Sequence, residues 1–274
     1  MTGQPGTIAS AAIVVLMIGG AAHAQDSTRE GLAAPVTFLG QVIETPAPPP
    51  PTPRHTGIKA TLKAIPHDFG HLGSRENLMW VGIGAAAALT AHPFDDNVNR
   101  HFAGVGTADT IFKPGKYIGE TATLAGASLA IYATGRLRDA PKVSHIGMDL
   151  IRALVVDEAI TQGLKYSVRR ERPDGSDRHS FPSGHASATF AVATVLERHV
   201  HWRMSVPVYL FASYVAMSRL HENKHFVSDV AFGATVGVIA GRTVTRPGSD
   251  KYALAITPTR GGMGVQFATN FGGH

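Results

Sequence analysis

The chain is expected to be all-α, a six-helix-type bundle with its site at helix ends and a short C-terminal β-hairpin appended. Three observations carry that expectation. Apolar residues recur at helical spacing in successive runs after residue 74, helix-starting and helix-stopping residues bracket those runs, and strand-like alternation is confined to residues 252–271. With 274 residues and 44% hydrophobic content, the chain can bury one good-sized core, and nothing in it suggests a second.

Residues 1–24 read as a secretory signal peptide, apolar over 11–22 and ending in Ala22-His23-Ala24, a small-x-small cleavage pattern. Because Lys and Arg are missing from its start, an uncleaved anchor is the alternative. Residues 25–55 form a linker whose second half is proline-rich: Pro48 to Pro51 run unbroken between Pro46 and Pro53, a composition that favours an extended, semi-rigid chain. The helical domain is then placed at 56–245 and a tail or hairpin at 246–274.

Within the domain, Ser74 is positioned to cap a helix that ends before Pro93, and a second apolar helix is expected over 118–134. The third, over 146–168, sets Leu150, Ile151, Leu154, Val155, Ile160 and Leu164 at helical spacing. Further helices are expected over 186–199, 206–217 and 226–240. Residues 252–257 and 265–271 alternate like strands around Arg260-Gly261-Gly262.

Three short stretches stand out for chemistry. The first is Lys165, six residues, then Arg172-Pro173; the second is Pro182-Ser183-Gly184-His185; the third is Ser218-Arg219, five residues, His225, three residues, Asp229. Each alone has a plain structural explanation. Lys165 and Arg172 suit a cationic helix end stopped by Pro173, Ser183 suits a helix cap, and His225 and Asp229, four apart, suit an ion pair on one helix face. Their conjunction in order within sixty-five residues is what those explanations do not cover.

Together the stretches resemble the three-part signature of the type 2 phosphatidic acid phosphatase and vanadium haloperoxidase superfamily, and every specified position is met. One departure is Asn223, where many members carry Gly two residues before the third-motif His. Asn tolerates the left-handed backbone region better than most residues, so a tight approach survives.

The chemistry of phosphoryl transfer and the resemblance assign the same roles. Charge spreads over three equatorial oxygens, so the protein's task is mostly positioning and electrostatic stabilisation. Lys165, Arg172 and Arg219 supply cationic donors, Ser183 its hydroxyl, and Gly184 a backbone N–H unobstructed by a side chain. The chain has no cysteine, so a cysteine nucleophile is excluded. His225 fits that role if Asp229 accepts the proton of one ring nitrogen and leaves the other free to attack phosphorus, making a phosphohistidine. His185 then protonates the leaving group and later deprotonates water. That scheme asks for a neutral His225 and a protonated His185, hence a bell-shaped rate profile peaking between about pH 5 and 7.5. No metal or other cofactor is called for. Asp149, Asp157 and Glu158 are read as helix-surface or buried ion-pair groups.

The resemblance thus implies a metal-independent phosphoric ester hydrolase acting on phosphomonoesters or diphosphates, with lipid phosphates and polyprenyl diphosphates as substrate classes. A vanadate-dependent haloperoxidase is the alternative, since vanadate occupies the same residues, but family haloperoxidases are generally much larger. A non-catalytic phosphate- or lipid-binding protein is the other, and it needs neither an acid nor an oriented nucleophile. A net charge of +5 favours anionic substrates or an anionic membrane surface, and no nucleic-acid partner is expected. Export to a bacterial periplasm is expected. Membrane association stays open: the 146–168 helix carries Asp149, Arg152, Asp157 and Glu158, costly against lipid, whereas 206–217 and 230–240 are apolar enough to touch it.

Overall fold

Helix count is where the fold departs from expectation: the described residues contain nine α-helices rather than six. The computed structural model describes residues 57–104, 106–200, 202–246, 252–259 and 262–269, all within the unit Pro51–His274. The expected signal peptide and linker lie outside the described residues.

The helices are α1 (Ile58–Gly70), α2 (Arg75–Ala91), α3 (Asp95–Phe102), α4 (Asp109–Ile118), α5 (Thr121–Leu137), α6 (Pro141–Val168), α7 (Gly184–His199), α8 (Trp202–His221) and α9 (Val227–Val244). The three unexpected ones are α1, α3 and α4. Helices α1 and α4 carry an internal proline, Pro66 and Pro114, and α3 is eight residues of mostly polar character, so none shows an uninterrupted apolar period. Ser74 caps α2 as expected, its side chain accepting from Asn77 N–H at 3.3 Å. Helix α6 starts earlier than expected because Pro141 takes its first turn, where a missing N–H costs nothing.

Helix α7 sits at the centre of the packing. Its Ala191 and Val195 join Leu150, Ala153 and Val156 of α6 and Ala240 and Val244 of α9 in one fully buried cluster. Its Ala186, Phe190 and Ala193 meet Ala212 and Ala216 of α8 in a second. Small residues let α7 and α9 approach closely: a Cβ on Gly237 would lie 2.7 Å from the Ala191 nitrogen, and one on Gly233 would lie 2.6 Å from the Ser183 carbonyl oxygen. Only glycine fits that seam.

Two of the acids read as surface or ion-pair groups sort apart. Asp149 does pair, with Arg152 at 2.9 Å and His199 at 2.8 Å, while Arg152 Nε also donates to buried Asp68 of α1 at 2.9 Å. Asp157 is fully buried without an ion pair. Burial pushes its carboxyl well above the usual range, and Ser187 Oγ donates to it at 3.0 Å. Glu158 accepts from Gln162.

Of the described helices, α9 alone is long and apolar enough to cross a membrane, and 61% of it is buried inside the protein. Elsewhere large apolar side chains face outward, among them Leu78 and Leu89 of α2, Leu129 and Leu137 of α5, and Leu210 of α8. Strands β1 (Tyr252–Thr259) and β2 (Gly262–Thr269) pair antiparallel, Ile256 opposite Val265.

Candidate active site

The site is built where α6 and α8 end and α7 and α9 begin. Lys165 lies in the last turn of α6 and is 7% exposed, its Nζ donating to the His179 carbonyl at 2.7 Å. Burial first, and the Arg172 cation second, lower its pKa to about 8, which leaves it cationic at neutral pH. The helix stops at Arg169, which adopts a left-handed φ of 52°, and not at Pro173. Arg172 therefore sits beyond the helix in the loop leading to α7. Neither cation is the solvated helix end that sequence alone allowed.

Arg172 reaches three acceptors. Its Nε donates to Asp177 at 2.8 Å, and its Nη1 donates to the Lys224 carbonyl at 3.1 Å and faces His225 Nε2 at 3.3 Å. On the other edge of the His225 ring, Nδ1 lies 2.7 Å from the Ser180 carbonyl oxygen. A carbonyl only accepts, so Nδ1 carries the proton and Nε2 carries the lone pair. This differs from the expected arrangement, in which Asp229 took that proton. Asp229 Oδ2 stands 3.8 Å from Nδ1, outside hydrogen-bonding range, and acts from behind Ser180. Its oxygens accept instead from Arg170 Nη1 at 2.7 Å, from Ser180 Oγ, and from Phe226 N–H at 2.9 Å. Burial works to raise the Asp229 carboxyl, but the donors around it outweigh burial and hold it below the usual carboxylate range.

Ser183 occupies the N-cap position of α7 without capping: its side chain makes no cap bond, and its Oγ is buried with no hydrogen-bond partner. Gly184 follows against Lys165, where a Cβ would lie 3.8 Å from Lys165 Cε. His185 Nε2 lies 3.1 Å from the Lys116 carbonyl oxygen. Arg219, in the last turn of α8, pairs through Nη1 with Glu222 at 2.6 Å, while its buried Nε has no partner. Such an unpaired buried donor costs about 1–3 kcal/mol. Two of them at one site describe a cradle shaped for an external acceptor.

Both histidines are held neutral. Burial above all lowers His225 to about 4, with Lys165 and Arg172 adding to the shift against the opposing pull of Asp229. Desolvation, then the Arg219 cation, lowers His185 to about 4 as well. The expectation that His185 stands protonated between pH 5 and 7.5 therefore fails for the empty site: burial above all, and then the Arg219 cation, disfavour the charged ring. A bound anion would act in the opposite direction.

All eight expected residues, Lys165, Arg172, Ser183, Gly184, His185, Arg219, His225 and Asp229, converge here. Sequence reasoning missed the groups behind them. Arg170 bridges Asp229 to Asp95 of α3, at 2.7 and 2.9 Å, and donates to Ser228 at 2.7 Å, while Asp95 also accepts from Ser228 N–H at 2.9 Å. Asn223 takes the left-handed φ of 55° that its chemistry permits, and its Oδ1 accepts from Asn99 at 2.9 Å. Among the described residues, no group of three His, Cys, Asp or Glu side chains is placed to hold a metal ion.

The lipid A 1-phosphatase of Porphyromonas gingivalis is 33% identical over 195 residues, which cover 68% of this chain and 42% of that protein. The decaprenylphosphoryl-5-phosphoribose phosphatase of Mycobacterium tuberculosis is 34% identical over 105 residues, 35% of this chain and 58% of the relative. The chain thus spans about half the length of these two curated relatives. Among solved structures, LpxE of Aquifex aeolicus aligns with a TM-score of 0.47 at 23% identity, over 55% of this chain and 94% of that one. A transmembrane PAP2-type phosphatidylglycerolphosphate phosphatase from Bacillus subtilis aligns at 0.45 and 20%, over 68% and 92%. Residues 146–251 match the PAP2 superfamily, a span that contains the whole of Lys165 to Asp229, and the chain belongs to that superfamily of phosphatases and vanadium haloperoxidase-like proteins.

Proposed function

We propose that the chain is a phosphatase that hydrolyses phosphomonoesters or diphosphates of the lipid or polyprenyl class through a phosphohistidine on His225. The observation that carries the reading is the pairing of two buried, partnerless donors, Ser183 Oγ and Arg219 Nε, with a ring nitrogen whose lone pair faces the same cluster of cations. A phosphoryl oxygen satisfies both donors. The named activities of the two bacterial relatives, both on phosphorylated lipids, favour the same substrate class.

In the first step the His225 Nε2 lone pair forms a bond to phosphorus as the bond from phosphorus to the leaving oxygen breaks, and that oxygen takes a proton from His185. The Ser180 carbonyl, with the Asp229 carboxylate behind it, holds the Nδ1 proton through the ring's change of charge. Lys165, Arg172, Arg219, Ser183 and the Gly184 N–H receive the three equatorial oxygens. In the second step His185 removes a proton from water, the water oxygen bonds to phosphorus, and the phosphorus–nitrogen bond breaks to restore His225. Arg172 faces Nε2 in the empty site, so it must swing onto the phosphoryl group for attack to begin. Membrane association is supported by the outward apolar residues of α2 and α5 and by the apolar length of α9.

The test is His225→Ala, assayed against a panel of aryl, lipid and polyprenyl phosphates. Loss of about a thousandfold or more in a folded variant is expected of an essential nucleophile. Turnover within about tenfold of the parent overturns the assignment. Halide oxidation by the parent with added vanadate, in place of hydrolysis, would favour the haloperoxidase reading.

A further inference from the structure

Two carboxylates lie buried behind His225, and one guanidinium joins them. Asp95, the first residue of α3, is 2% exposed, and Asp229, in the first turn of α9, is fully buried. Arg170 donates to Asp229 Oδ1 from Nη1 at 2.7 Å and to Asp95 Oδ2 from Nη2 at 2.9 Å, and its guanidinium carbon stands 4.1 Å from the centre of the Phe226 ring. The Ser228 hydroxyl completes the bridge, accepting from Arg170 Nη1 at 2.7 Å and donating to Asp95 Oδ2 at 2.6 Å. His92 Nδ1 lies 2.9 Å from the same oxygen.

The bridge is tied to the start of α9. Phe226 stands at the N-cap position, where its side chain has no oxygen to offer the first N–H groups. Asp95 Oδ1 takes the Ser228 N–H at 2.9 Å instead, so a residue 133 positions away in sequence caps the helix that carries Asp229. Burying two carboxylates against a single guanidinium is costly unless other donors and the positive end of a helix share the charge, and both are present here.

Arg170 also reaches the other edge of the His225 ring. Its backbone carbonyl accepts the Ser180 N–H at 3.0 Å, and the Ser180 carbonyl in turn faces His225 Nδ1 at 2.7 Å. The Ser180 hydroxyl donates to Asp229. Both groups behind the Nδ1 proton are therefore held by Arg170, and Arg170 is held by Asp95. Arg170 occupies an unspecified position of the first motif, and Asp95 lies outside the matched span 146–251.

We propose that Asp95 and Arg170 are positioning residues for phosphoryl transfer: by fixing the Ser180 carbonyl and the Asp229 carboxylate, they keep the His225 proton on Nδ1 and leave the Nε2 lone pair for phosphorus. As Nε2 bonds to phosphorus the ring gains positive charge, and the Asp229 carboxylate, 3.8 Å from Nδ1, has to be in place at that moment. Loss of the bridge slows the chemical step and leaves the phosphoryl oxygens as well held as before. This rests on the phosphohistidine reading above and deepens it.

The experiment measures steady-state hydrolysis by the full chain of nitrophenyl phosphate, dioleoyl phosphatidic acid and farnesyl diphosphate, with inorganic vanadate as a competing probe of the cradle. Asp95→Asn keeps an acceptor for the Ser228 N–H but sets an amide where Arg170, Ser228 and His92 face an oxygen. Arg170→Lys keeps the charge but loses the planar fork that spans two carboxylates. Each variant, shown to be folded by thermal unfolding, should lower kcat about tenfold or more while KM and vanadate inhibition stay within about twofold of the parent. In an Asp229→Asn background Asp95→Asn should cost less than about threefold, because the group it positions is gone. If the charge changes unfold the chain, Ser228→Ala, which removes only the hydroxyl between them, carries the test, with kcat lowered about threefold at unchanged KM. Parental kcat in the folded variant, a loss confined to KM and vanadate affinity, or an equal loss in the Asp229→Asn background overturns the positioning role and leaves the phosphatase reading standing. A parent that hydrolyses none of the three substrates overturns both.

Discussion

In the proposed mechanism His225 and His185 do opposite work with nearly the same resting chemistry. Each is neutral in the empty site, with a pKa of about 4. For His225 that is the form the proposal needs, whereas His185 would have to gain a proton to serve as acid. A bound phosphoryl dianion would supply the missing attraction, so the proposal expects a higher pKa for His185 in the complex than in the free protein. The descending limb of kcat should therefore fall at higher pH than that of kcat/KM, and His185→Asn should remove the separation; coincident limbs in the parent would count against substrate-assisted protonation. Stability carries the same sign: a histidine whose folded pKa is below its unfolded value near 6.5 stabilises the fold above that pH and loses the contribution as pH falls towards 4. At this scale the sequence was highly legible, because residue type, spacing and the family resemblance they carry named eight residues that meet. What it hid were long-range partners. Arg170 lies inside the first motif at an unspecified position, and nothing local says that its guanidinium will join Asp95 to Asp229 across 75 and 59 residues of chain.

The element that sets the site's dimensions is the α7–α9 seam. Gly233 and Gly237 bring the α9 backbone against Ser183 and Ala191, so the N-terminus carrying His185 and the N-terminus carrying Asp229 are fixed to one another by backbone contact. Gly237→Val forces at least two methyl groups into this contact and should destabilise the fold by about 1–3 kcal/mol or more, as overpacking does. Thermal unfolding of parent and variant measures it, and a variant with unchanged Tm would mean that the helices part at no cost. Long apolar helices such as α6, α7 and α9 were readable from their period, their boundaries less so. The missed helices α1, α3 and α4 are short, and their formation depends on tertiary partners: Asp68 of α1 on Arg152, Asp95 of α3 on Arg170, Asp109 of α4 on His221. Tertiary contacts of that kind leave no local trace.

For the whole molecule, a net charge of +5 and outward-facing Leu78, Leu89, Leu129, Leu137 and Leu210 are the features that would meet an anionic lipid surface, and that proposal is open to a direct test. The full chain should co-sediment with phosphatidylglycerol vesicles more than with phosphatidylcholine vesicles, and added salt should narrow the difference as surface charges are screened. Equal recovery with and without vesicles would remove the membrane from the picture. A further consequence belongs to the glycine seam. Since the proposed acid His185 and the carboxylate Asp229 ride on two helices in backbone contact, the gap between them is set by the hydrophobic interior. In the proposed mechanism a substitution three to four turns along α9 from Asp229, at Gly241 or Val244, should alter reaction rate by tilting one helix on the other, without touching an atom that meets substrate.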